Sequence, residues 1–174
     1  MDTSFIITFI GDDRPGLVEE LSAVITDQGG NWRESRLQQL AGKFAGLVSV
    51  SLPSDRGEDL RAALKALAPR GLSVKVTALE SLSGDEHPGR TIRLTIIGPD
   101  RPGIVREISA ALAQQHINVV DMRSDVSSAP MSAEAMFSAS VEAQISERSD
   151  LDELNEKLEE IANQMSVDVQ LDVD

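Results

Sequence analysis

Two six-residue phrases, Gly11-Asp12-Asp13-Arg14-Pro15-Gly16 and Gly98-Pro99-Asp100-Arg101-Pro102-Gly103, place carboxylates, a guanidinium and unhindered backbone directly after apolar runs. A proline near the first position of a following helix suits the helical φ and loses no needed N–H. Asp13 or Asp100 is then placed to accept from a free first-turn amide. Gly16 and Gly103 carry no side chain, so another group can approach the backbone there. The chemistry on offer is anion binding, because an exposed helix N-terminus with free amides and a partial positive charge suits a carboxylate or phosphate. Taken alone, the same pattern also describes an ordinary helix start, which is far commoner than a ligand site.

Other chemistry finds little support. The chain has no cysteine, which excludes a disulfide framework, a thiolate zinc site and a cysteine nucleophile. His87 and His116 are the two histidines, and neither stands in a pattern that supplies a metal cluster. No G-x-S-x-G, P-loop or G-x-G-x-x-G phrase occurs. Catalysis by this chain is therefore not expected, and no metal or cofactor is called for. The net charge of −13 is uneven: Met1 to Leu82 carries 9 Lys+Arg against 11 Asp+Glu, Ser83 to Asp174 carries 7 against 18. Such a surface repels polyanions, so direct contact with DNA or RNA is not expected. The acidity serves solubility, or the face from Ser149 to Glu160 docks a basic partner. Met1-Asp2-Thr3-Ser4-Phe5 lacks the flank and apolar run of a signal peptide, and no apolar run is long enough to span a bilayer. The expectation is a cytoplasmic protein.

The elements that position the two phrases repeat with them. A shift of 87 residues lays Gly11 to Ala23 over Gly98 to Ala110, Asn31 over Asn118 and Arg36 over Arg123, the mark of one unit used twice. The division predicted is 1–82, a linker at 83–89 of turn-forming composition, and 90–174. In each copy an apolar strand (Phe5 to Ile10; Thr91 to Ile97) precedes the phrase, and Ile92, Leu94 and Ile96 alternate with polar neighbours. A helix follows, with Leu17, Val18, Leu21, Val24 and Ile25 echoed by Ile104, Val105, Ile108 and Leu112. Next come strands at Trp32 to Leu40 and Phe44 to Leu52, turned at Ala41-Gly42. Their counterparts are Val119 to Val126 and Met136 to Ile145, with a longer turn around Ser127 to Ala133. Second helices carry Leu60, Ala63, Leu64 and Leu67, or Leu151, Leu154, Leu158 and Ile161 behind a cap at Ser149. Ser73 to Leu79 and Val167 to Val173 close each copy. The order βαββαβ predicts an α+β chain of two ferredoxin-like domains, each a four-stranded antiparallel sheet with two helices on one face. Phe5, Ile7 and Phe9 alternate with Ile6 and Ile10, so the helix-free face of the first strand is expected to be covered as well.

A strand, D-R-P-G, an apolar pair, an amphipathic helix and an asparagine at the start of the next strand resemble the ACT domain, a small regulatory module that binds amino acids. The resemblance spans nearly the whole chain as two copies. It implies a ligand held where the loop after the first strand of one domain meets the start of the second strand of another. The implied ligand-binding residues are Asp13, Arg14, Gly16, Leu17 and Asn31 in the first copy, with Asp100, Arg101, Gly103, Ile104 and Asn118 in the second. An asparagine amide can meet both the amino and carboxylate groups of an amino acid. The copies differ there, Gly29-Gly30-Asn31-Trp32 against His116-Ile117-Asn118-Val119, so the two sites need not be equivalent. A stand-alone tandem pair is similar to the glycine cleavage system repressor family, which implies glycine as ligand, a transcription regulator as protein partner and a homo-oligomer. A sensing subunit for a separate metabolic enzyme, or a purely architectural module, also fits the residues.

Overall fold

A computed structural model describes residues 2–79, 89–131 and 133–173. The chain divides into two compact units, Met1–Gly84 and Asp85–Asp174. Apart from Gly89, the stretch expected to link the repeats lies outside the described residues, as does His87.

The first unit runs β1 (Asp2–Asp12), α1 (Leu17–Asp27), β2 (Asn31–Leu40), β3 (Lys43–Pro53), α2 (Gly57–Lys65) and β4 (Ser73–Ala78). Its strands form one antiparallel sheet in the order β2-β3-β1-β4. The second unit repeats the plan with β5 (Thr91–Pro99), α3 (Ile104–Gln114), β6 (Asn118–Ser128), β7 (Ala135–Gln144), α4 (Leu151–Met165) and β8 (Asp168–Val173). Its sheet order is β6-β7-β5-β8, again antiparallel. Both units are therefore βαββαβ folds of the ferredoxin-like plan.

Alternation along the strands and four-residue spacing along the helices build the cores. Phe5, Ile7 and Phe9 of β1 and Val48, Val50 and Leu52 of β3 are buried with Leu17, Leu21 and Ile25 of α1 and Leu60 and Leu64 of α2. In the second unit Ile92, Leu94 and Ile96 are buried with Ile104, Ile108 and Leu112 of α3 and Leu154, Leu158 and Ile161 of α4. Burying each such side chain contributes about 1.5–3 kcal/mol, set against the cost of ordering the chain. On the other face of β1, Ile6 is half-buried, while Ile10 is 48% exposed. The β2–β3 turn is tight because Ala41 (φ 49°) and Gly42 (φ 76°) both adopt left-handed backbone, the pattern of a type I′ hairpin. The cap of α4 falls one residue later than expected. Asp150, not Ser149, accepts from Asp152 N and Glu153 N, each at 3.0 Å, while Ser149 Oγ accepts from Ser146 N.

The units solve one packing problem in opposite ways. A Cβ on Gly30 would stand 2.9 Å from Ile25 Cγ2 and 3.1 Å from Val50 Cγ1. In the second unit the same place holds buried Ile117, flanked by Leu112, which has no branch at Cβ, and by Ala143, the register counterpart of Val50. The backbone barely differs: Gly30 N donates to Ile25 O at 2.9 Å and Ile117 N to Leu112 O at 3.0 Å. Side-chain volume has been exchanged across an unchanged frame.

Candidate functional site

Gly16 (φ 90°, ψ −2°) and Gly103 (φ 100°, ψ −8°) fix the geometry of the two loops. Those angles are the third position of a type II turn, whose second position favours proline. Pro15 and Pro102 therefore lie in a turn ahead of the helix, not in its first position as expected. The glycines are the residues before the helices, and neither helix receives a side-chain cap from Asp13 or Asp100. The reason for glycine is positive φ; a Cβ on Gly16 would meet no atom within 4 Å. The aspartates instead hold the loops by their main chains, Asp13 N donating to Gly42 O at 2.9 Å and Asp100 N to Ala135 O at 2.8 Å. With no side-chain cap, the first-turn amides of α1 and α3 remain open to an anion.

In the first unit, Asp13, Arg14, Gly16, Leu17, Val18 and Glu19 line an open hollow of about 320 Å³ whose wall is Phe44. Phe44 is held by Phe9, ring centroids 5.8 Å apart. Leu17 itself is buried and anchors the loop to the core, as Ile104 does in the second unit. Arg14 is not free: its guanidinium donates to Glu20 Oε2 at 2.7 Å, and Arg70 donates to the other carboxylate oxygen. The Arg70 and Arg14 hydrogen bonds hold the Glu20 carboxyl below its ordinary range. Asp12, paired with Lys43, is lowered by that hydrogen bond and the lysine's charge.

The second loop differs in its surroundings. Glu107 repeats Glu20, its N–H donating to Gly103 O at 3.0 Å as Glu20 N–H donates to Gly16 O at 2.9 Å. The place of Arg70, just before a left-handed residue and the last strand, is taken by Met165, whose Cε lies 3.9 Å from where a Cβ on Gly103 would stand. Among the described residues Arg101 has no ionic partner.

Asn31 and Asn118 open β2 and β6, opposite Ser51 and Gln144. That is the far end of each sheet: β1 pairs Ser4 with Ser51 there, and Asp12 with Lys43 beside the loop. Eight residues of strand, roughly 26 Å, separate the two ends. Within one unit, asparagine and loop cannot touch one small ligand. Element order alone predicts this, since α1 returns the chain to the start of the sheet. Phe44, Glu20 and Arg70 were missed by sequence reasoning; Arg70 lies 50 residues from its carboxylate partner, with no local signal to join them.

Comparison with known proteins follows the same division. An ACT-domain family model matches residues 3–77, and a second ACT-domain model matches residues 92–159. The chain belongs to the ACT-domain family. This tandem ACT protein is 35% identical over 77 residues to a UPF0237 protein of Methanococcus maripaludis, a match covering 44% of this chain and 79% of that one. A crystal structure of an "Unknown Protein from Galdieria sulphuraria" superposes with a TM-score of 0.87 at 27% identity, over 100% of this chain and 99% of that one. A crystal structure named "putative glycine cleavage system transcriptional repressor" gives a TM-score of 0.72 at 19% identity, over 100% and 98% of the two chains. At that identity the second likeness is one of fold, which the tandem ACT protein shares across its whole length. Among the described residues no helix is long and apolar enough to cross a membrane, and no cluster of three His, Cys, Asp or Glu side chains is arranged to hold a metal ion.

Proposed function

We propose that this tandem ACT protein is a non-enzymatic regulator that binds a small amino acid, glycine first among candidates, and controls transcription through contact with a DNA-binding regulator. The observation that carries the reading is the duplicated loop, in which a left-handed glycine leaves the first-turn amides of α1 and α3 uncapped beside an arginine. The amides and Arg14 or Arg101 would take the carboxylate. A ligand that also meets Asn31 or Asn118 must draw its loop and its asparagine from different ACT units. A protein partner rather than nucleic acid fits the net charge of −13. The reading rests on the family and on likeness to a repressor-named fold, and a transcription regulator is the partner class that likeness suggests.

The test is thermal unfolding against a panel of amino acids. A ligand at one hundred times its Kd adds roughly 2.7 kcal/mol, which moves the midpoint by several degrees. Arg101→Ala and Asn118→Ala should each reduce the shift while leaving the ligand-free midpoint in place. No shift with any amino acid, at concentrations up to those that alter solvent properties, would overturn amino-acid binding by this chain.

A further inference from the structure

The two loops share a backbone, yet the charges around them are arranged differently. Every cation beside the first loop is matched to a carboxylate. Glu20, with a side chain only 13% exposed, accepts from both Arg14 and Arg70, and Lys43 is bound to Asp12. A further carboxylate, Glu19, lines both open hollows at this loop.

A shift of 87 residues puts Arg106 in the place of Glu19, on the first turn of α3. Glu107, the counterpart of Glu20, makes no ion pair with Arg101; its charge is felt by Lys157 of α4, which is bound to Glu160 at 2.8 Å. The second loop therefore holds two guanidiniums without an ionic partner among the described residues, Arg101 two residues before Gly103 and Arg106 three after it. Between them along the chain begin the uncapped first-turn amides of α3.

Arg106 breaks a local rule. A cation in the first turn of a helix opposes its dipole, and the first turn of α1 carries Glu19 and Glu20 instead. No carboxylate of its own unit offsets Arg106, although Ser83 to Asp174 carries 18 Asp+Glu from which a partner could have been drawn. Local rules are broken without compensation chiefly where a function requires it.

We propose that the loops take different ligands: the second prefers an amino acid bearing an additional acidic group, the first a neutral one. In the second loop the α3 amides and Arg101 take one carboxylate and Arg106 takes the other. In the first loop Glu20 already occupies Arg14, and Glu19 repels any second negative charge, so discrimination comes from repulsion as well as attraction. The inference rests on the amino-acid reading of the loops and adds that residues 19 and 106 set specificity.

Isothermal titration calorimetry on the full chain with aspartate and asparagine isolates the charge, because the two are nearly identical in shape. Aspartate should bind about fivefold more tightly, the upper value for one exposed ion pair. Arg106→Glu should remove the difference, and adding Glu19→Arg with Glu20→Gln to that variant should restore it through the first loop. Circular dichroism checks that each variant keeps its fold. Equal affinity for the two amino acids, or a preference that survives Arg106→Glu, would overturn the proposal. Should neither amino acid bind, the amino-acid reading falls, and inorganic phosphate, a small dianion, decides the charge selectivity alone. Side-chain Nε–H resonances of Arg101 and Arg106 that move with phosphate while that of Arg14 stays fixed support the selectivity. No movement, or equal movement of all three, overturns it.

Discussion

Exchanging packing volume between the repeats gives a prediction that can be worked through. Gly30→Ala puts a methyl 2.9 Å from Ile25 Cγ2, 3.0 Å from the Ile25 carbonyl oxygen and 3.1 Å from Val50 Cγ1; the two side chains are fully buried and cannot swing aside, whereas Ile117 carries a Cβ in the same hydrogen-bonded relation to Leu112 O. Overpacking of this kind costs about 1–3 kcal/mol, while the entropy a glycine loses on folding returns about 0.4–1, leaving a destabilisation of up to about 2.5 kcal/mol, about 1 at the middle of both ranges. In an Ile25→Leu/Val50→Ala background the two obstructing methyl groups are gone, as they are around Ile117. The same Gly30→Ala should then be neutral or stabilising, a coupling of about 1–3 kcal/mol. Urea unfolding followed by fluorescence reads this cleanly, because Trp32 is the single tryptophan of the chain and sits opposite Val50. For a unit of this size the midpoint should fall by roughly 1 M with Gly30→Ala alone and not at all in the double background. Equal losses in the two backgrounds would refute the claim that side-chain volume, rather than backbone conformation, selects glycine at position 30.

Other expectations follow from single contacts. Glu20 is held ionised by Arg70 and Arg14, so its contribution is complete above its ordinary pKa of 4.5 and disappears as pH falls through the depressed value. Glu20→Gln should therefore lower the urea midpoint at neutral pH and converge on wild type in acid. Asp150→Ala removes two cap hydrogen bonds from α4 and should cost about 1 kcal/mol in chemical denaturation followed by circular dichroism. Gly103→Ala, forced into left-handed backbone, should cost about 1–2 kcal/mol by the same assay, whereas Leu94→Ala in the second core should cost about 2–5.

The fold was legible wherever one periodicity ruled. Ile92, Leu94 and Ile96 alternate, and Leu17, Leu21 and Ile25 step by four, so strand and helix could be told apart without reference to anything distant. The misreadings fell where two local solutions competed. Asp-Arg-Pro-Gly can start a helix at its proline or fold into a turn ahead of it, and left-handed Gly16 decides for the turn. Ser149 and Asp150 are both capable caps, and Ser149 Oγ is already engaged by Ser146 N, which leaves the helix to Asp150. The position of the two loops ahead of α1 and α3 could be read in advance. Their ion pairing could not, because the difference between Arg14, tied to Glu20, and Arg101, with no ionic partner among the described residues, follows from Arg70 and Met165, which come late in the sequence of each unit.

The backbone bonds from Asp13 to Gly42 and from Asp100 to Ala135 have an evolutionary consequence. A main-chain tether is blind to side-chain identity: short of proline at the donor, no single substitution removes its atoms. Mutational drift can therefore rewrite the chemistry of either loop while its placement over the helix N-terminus is inherited unchanged. That separation of position from specificity is a route by which one duplicated frame can come to recognise two different molecules, one repeat keeping an ancestral ligand while the other changes.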